Sequence, residues 1–181
     1  MSVLVGRIVS LCDRSGNWPH FYRLAGYEVI TLDLANGDDV RLLERIDHVR
    51  GVMAAPPCTV FANSGARWKR SDDDMRAGLS VVDACLRFIF ATKPAWWALE
   101  NPVGKLSRYL GKPTMYFDPC DYGDPYTKKT ALWGDFNIPG KNPVEPTMGS
   151  MMHKLPPTKD RAIKRSVTPL GFARAFFEAN P

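Results

Sequence analysis

The tripeptide Pro56-Pro57-Cys58 follows an apolar run and precedes Phe61 and Gly65. Two prolines restrict the backbone ahead of Cys58, so its thiol is held in one place at the tip of an expected strand. Farther along, Glu100-Asn101-Pro102 ends a second apolar run and offers a carboxyl acid. A thiol and a carboxyl facing one cleft suit addition to an electron-poor ring, followed by alkylation. Taken singly, each has a plainer reading: an inert buried thiol and a solvated strand end.

The elements that must position these groups follow from pattern. Gly6–Cys12 reads as a strand stopped by the turn Asp13-Arg14-Ser15-Gly16. Pro19 opens a helix with Phe21, Leu24 and Ala25 on one face and Gly26 as its stop, and Tyr27–Asp33 is the second strand. This unit predicts an α/β fold with a mostly parallel central sheet and helices on both faces. Gly51–Ala55 is the third strand. Asp72-Asp73-Asp74 caps a long helix whose core stripe is Met75, Leu79, Val82, Leu86 and Phe90. Ala95–Leu99 is the fourth strand, and Thr114–Phe117 and Thr130–Trp133 are two more. Residues 135–165 read as an irregular basic segment. Thr168 and Pro169 then serve as N-cap and first residue of a helix over Leu170–Ala179, with Leu170, Ala173, Phe176 and Phe177 inward. Ligands of open parallel sheets bind beyond the carboxyl ends of the strands. Asp13–Gly16, Asp33, Cys58 and Glu100 all fall there.

Composition narrows the class. The chain has 181 residues, 45% hydrophobic and 24% charged, as expected for one globular domain spanning 1–181. No apolar run reaches the ~18 residues of a membrane span, and no secretory segment is evident, so a cytoplasmic setting is expected. Cys12, Cys58, Cys85 and Cys120 contain no CxxC pair, and His20, His48 and His153 lack ligand spacing. Neither a metal site nor a disulfide scaffold is predicted. The net charge of +5 mildly favours a polyanionic partner.

In order and spacing these residues resemble the cytosine-C5 DNA methyltransferases, from about Ile8 to Phe176. Asp13, Ser15 and Gly16 are similar to that family's cofactor loop. Asp33 matches the acid that holds ribose hydroxyls, and Asp39 falls where an aspartate contacts adenine. Pro56-Pro57-Cys58 with Phe61 and Gly65 matches the nucleophile motif, with Thr59 and Ala62 in place of glutamine and serine. Leu99-Glu100-Asn101-Pro102 matches the segment bearing the catalytic glutamate. Asp121-Tyr122-Gly123-Asp124-Pro125 resembles the start of the arginine-bearing motif. Beyond it, Tyr126, Lys128 and Thr130 replace glutamine and two arginines. Ser166-Val167-Thr168-Pro169 resembles the closing motif. The large target-recognition insert of the family is reduced to about thirty residues, a size similar to that of minimal phage-encoded methyltransferases.

The resemblance implies a Rossmann-like fold that binds S-adenosylmethionine through Asp13, Ser15, Gly16, Asp33, Asp39, Pro56, Ser166 and Thr168. It implies Cys58, Glu100, Asn101 and Lys128 as the catalytic set. DNA is the implied partner, contacted by Ser64, Arg67, Lys69, Arg70 and Lys129 at a very short site, in a bacterial cytoplasm or a phage-infected host. Two alternatives stay open: the same chemistry on RNA or a free cytosine nucleotide, and a degenerate nucleic-acid-binding module.

Overall fold

The computed structural model describes residues 6–63, 69–150 and 161–181. One six-stranded sheet has the order β2-β1-β3-β4-β6-β5. Its strands are β1 (Arg7–Leu11), β2 (Val29–Leu32), β3 (Val49–Ala54), β4 (Trp96–Pro102), β5 (Met115–Phe117) and β6 (Thr130–Asp135). The helices are α1 (His20–Leu24), α2 (Asp72–Thr92), α3 (Ser107–Leu110), α4 (Arg161–Ser166) and α5 (Leu170–Ala179).

β1 to β4 pair in parallel, whereas β6 runs antiparallel between β4 and β5. The sheet is therefore mixed, which corrects the mostly parallel expectation on its β6 side. The link from Phe117 to Thr130 holds only a short 3-10 turn, Pro119–Tyr122. A parallel return usually runs through a crossover helix, and this link holds none, in keeping with the reversal.

Alternation along the strands builds two cores. Val9, Leu11, Val52, Ala54, Leu99, Ala131 and Trp133 pack on one face against Val82, Cys85, Phe88 and Ile89 of α2. Ile8, Met53, Ala98 and Leu132 face the other way, onto Trp18, Tyr22 of α1, and Phe172, Ala173 and Phe176 of α5. Helices thus cover both faces. The Phe172 ring stacks on Phe117 with centroids 4.0 Å apart. Buried Tyr22 donates its hydroxyl to the Asn180 carbonyl at 2.6 Å, so its polar end is satisfied.

Several helix details differ from expectation. Ser71, not an aspartate, caps α2: its side chain accepts from the Asp74 N–H, and the Asp74 carboxylate accepts from the Ser71 N–H, both at 3.0 Å. This is a capping box, with Asp72 and Asp73 adding negative charge at the positive helix end. Phe90 is 65% exposed, while Ala84, Cys85, Phe88 and Ile89 are buried. Met75, Leu79 and Leu86 pack against the same core as buried Val82, whereas Phe90 lies on the outer side that Asp83 and Arg87 mark. In α1 the buried residue is Tyr22, and Leu24 lies open. In α5 Leu170 is turned outward and Phe172 fills the core; Pro169 occupies the N-cap position without a side-chain cap, so Thr168 does not cap it. The 135–165 segment ends in helix α4, because Arg161-Ala162-Ile163-Lys164-Arg165 consists mainly of good helix formers.

Candidate active site

The carboxyl ends of β2, β1, β3 and β4 lie side by side, with Leu32, Leu11, Ala54 and Leu99 in register across the sheet. Each strand delivers one of the expected groups to that edge. At the end of β1, Cys12 takes a left-handed conformation, φ 58°, that non-glycine residues seldom adopt. The turn it creates folds Asp13 back beneath its own loop. Asp13 accepts from the Ser10 hydroxyl at 3.0 Å, the Ser15 hydroxyl at 2.8 Å and the Gly16 N–H at 2.9 Å. A buried carboxylate with three donors organises the whole turn. Next to it, Asn17 donates from Nδ2 to the carbonyl of buried Thr168 at 3.4 Å. The two ends of the chain meet at this loop.

Beyond β2, Asp33 caps the 3-10 turn Leu34–Asn36, accepting the Ala35 N–H at 2.8 Å. Its other carboxylate oxygen has no hydrogen-bond partner among the described residues. Asp39 is more heavily engaged. It accepts the Arg41 N–H and pairs with the Arg41 guanidinium at 2.6 Å, which holds its carboxyl down at about 2.

The centre of the edge lies where β4 outruns β3. The last β3 partner is Ala54, opposite Leu99, but β4 continues through Pro102 against β6. The Pro56-Pro57-Cys58 turn occupies the space this leaves. Fully buried Asn101 donates its side-chain amide to the Pro56 carbonyl at 2.9 Å, tying the nucleophile turn to β4. Glu100 points to the opposite face of the strand and is half-buried. Burial pushes its carboxyl pKa up, as does the nearby Asp13 charge, while Lys128 opposes the shift. Burial likewise pushes the Cys58 thiol up, followed by the Glu100 charge, with Lys128 and Arg165 pulling it down. Cys58, Glu100 and Lys128 therefore share one electrostatic neighbourhood.

Lys128 arrives there because β6 starts at this edge, with Thr130 opposite Pro102. Its N–H donates to Asp118 at 2.9 Å, and Lys129 pairs with the same carboxylate at 3.4 Å. Lys69 is exposed, whereas Arg70 donates to the Thr59 carbonyl at 2.9 Å and closes the loop after Cys58 at its base. Ser64 and Arg67 lie outside the described residues. Ser166 is exposed at the end of α4, two residues before Thr168.

Two contributors went unassigned in the sequence. Ser10 sits in an apolar strand, and only its place three residues before Asp13 hints at its partner. Arg165 ends a basic stretch whose charge suggests a solvated face, and only the fold brings it toward Cys58. Among the described residues no three His, Cys, Asp or Glu groups form a metal-binding cluster, and no helix is long and apolar enough to cross a membrane.

No protein-family model matches the chain, and no curated protein matches it. Among solved structures it is similar to a protein described as a DNA modification methyltransferase encoded within a prophage of E. coli. The TM-score is 0.54 at 16% identity, over 77% of this chain and 52% of that one. The chain thus spans about half the length of that protein. A likeness at this identity speaks to the fold alone: the chain shares a mixed α/β sheet architecture with that protein.

Proposed function

We propose that the chain methylates C5 of cytosine in DNA, with S-adenosylmethionine as donor. What supports this reading is that the Pro56–Cys58 turn, tied to Asn101 at 2.9 Å, lies beyond β3 beside the β4 stretch that carries Glu100, while β6 begins at the same edge just after Lys128. The donor fits the neighbouring β1–β2 end. Asp33 keeps a carboxylate oxygen for a sugar hydroxyl, and the Asp13–Gly16 turn is held in shape by its own hydrogen bonds. When bound, S-adenosylmethionine supplies an electrophilic methyl group.

The chain's residues prepare the base. Cytosine C5 is a weak nucleophile. Cys58 gives up its thiol proton to solvent and adds to C6 as the thiolate. The electron pair displaced from the C5–C6 double bond is taken up as N3 is protonated, which leaves C5 enamine-like. Glu100, its carboxyl kept protonated to higher pH by burial, donates to ring N3 as charge develops. Asn101 holds the Pro56–Cys58 turn so that the sulfur meets the ring from a fixed direction. Lys128 balances charge on both groups. After methylation a base takes the C5 proton and Cys58 departs. A stacked base is out of reach of the thiol, so the target nucleotide is flipped out of the duplex, at a cost of a few kcal/mol.

A duplex containing 5-fluorocytosine tests this, because fluorine at C5 cannot leave as a proton. With S-adenosylmethionine present, the protein forms a covalent adduct resolved on a denaturing gel, and Cys58→Ala forms none. Adduct formation by Cys58→Ala at the parent's level would refute the assignment. Adducts with RNA or a free nucleotide in place of duplex DNA would redirect the substrate.

A further inference from the structure

Three stretches of chain lie side by side at the edge that carries Cys58. An isolated antiparallel bridge joins Ala62 to Gly104. The Lys105 N–H donates to the Phe61 carbonyl at 2.7 Å, and the Asn63 N–H to the Val103 carbonyl at 3.2 Å. Val103 in turn donates its N–H to the Lys129 carbonyl at 3.2 Å. The seam is so close that a Cβ on Gly104 would collide with the Phe61 carbonyl, which glycine alone avoids. Residues 61–63, 103–105 and 129 thus form a short ribbon in which the nucleophile loop is an outer member.

Basic residues sit in or beside two stretches of this ribbon and follow the third in sequence. Lys128 and Lys129 belong to one stretch, Lys105 and then Arg108 to the middle one, and Lys69 and Arg70 follow the third. Arg108 is exposed and Lys105 half-buried. Neither side chain has a hydrogen-bond or ion-pair partner among the described residues. Of the other cations around the ribbon, Lys129 is paired with Asp118 at 3.4 Å and Arg70 is held on the Thr59 carbonyl at 2.9 Å. Lys105 and Arg108, joined one turn apart by the bond from the Arg108 N–H to the Lys105 carbonyl at 2.9 Å, are thus left as unpaired cations beside this ribbon, and such cations suit a ligand whose negative charges repeat.

We propose that Lys105 and Arg108 bind backbone phosphates of a nucleic-acid strand and form a second basic wall beside the Cys58 loop. This deepens the reading of the site as one that acts on DNA. Phosphate contacts of this kind set the position of the strand relative to Cys58 and are read in the salt dependence of binding.

The test is fluorescence anisotropy of a labelled DNA duplex titrated with the full chain over a series of NaCl concentrations. Each lost phosphate contact lowers the slope of log affinity against log salt by about 0.9, so Lys105→Gln/Arg108→Gln should lower it by about 1.8. Lys105→Arg/Arg108→Lys keeps the charges and should keep the parent's slope, which separates charge from folding. An unchanged slope in the glutamine variant overturns the proposal, as does a parent protein whose duplex binding is insensitive to salt. Loss of slope in a protein that transfers no methyl group supports the phosphate wall and refutes only the chemistry.

Discussion

Burial and the Glu100 carboxylate both favour the neutral thiol of Cys58, while Lys128 and Arg165 favour the thiolate. Burial is the largest influence, so Cys58 stays a thiol to higher pH than a free cysteine and ionises late. Its alkylation by iodoacetamide, followed by peptide mass spectrometry, should rise with pH around a midpoint above the ordinary thiol value. Lys128→Gln removes a stabilising cation and should move the midpoint up. Glu100→Gln removes a repelling anion and should move it down. Midpoints that ignore both substitutions would mean that the three groups do not share a site. Asn101 acts differently, through the Pro56 carbonyl, and its fully buried amide fixes position with no charge of its own.

The overrun of β4 past β3 makes room for the nucleophile turn, and the contact between residues 61–63 and 103–105 keeps that turn against the sheet. Gly104→Ala inserts a methyl group into the Phe61 carbonyl, so the ribbon must part locally. The expected result is faster hydrogen exchange at the Asn63 and Lys105 amides, with the β1 amides unaffected. Protection that survives at those two amides would show that the seam tolerates a side chain. Much of this element-level design is legible in the sequence. Proline pairs, turn residues and apolar runs foretell which strands lead to Asp13, Asp33, Cys58 and Glu100, although β4 runs on through Glu100 to Pro102 instead of stopping at Leu99. The direction of β6 is not, because Thr130–Asp135 reads the same whether paired parallel or antiparallel. Nor is the approach of Gly104 to Phe61, which depends on a pairing between stretches that have no strand pattern of their own. Of the α2 stripe only Phe90 is misjudged: Met75, Leu79, Val82 and Leu86 join the core, while Phe90 falls on the outer side with Asp83 and Arg87.

Across the whole molecule, the α2 core and the aromatic core of α1 and α5 hold the sheet from opposite sides. Phe172 is the hub of the second, meeting Phe117, Tyr122, Trp18 and Phe176. Phe172→Ala should lower unfolding free energy by about 3–5 kcal/mol, measured by urea denaturation. A loss under about 1 kcal/mol would mean that the cavity collapses or that this face contributes little. The same core receives the final residues: Asn180 accepts the Asn137 N–H at 2.7 Å and donates to the Asn137 carbonyl at 3.0 Å, and Pro181 accepts from Arg50 at 2.8 Å. Because one buried side chain answers both backbone groups of Asn137, Asn180→Leu would leave an amide and a carbonyl unmatched at the foot of the last helix.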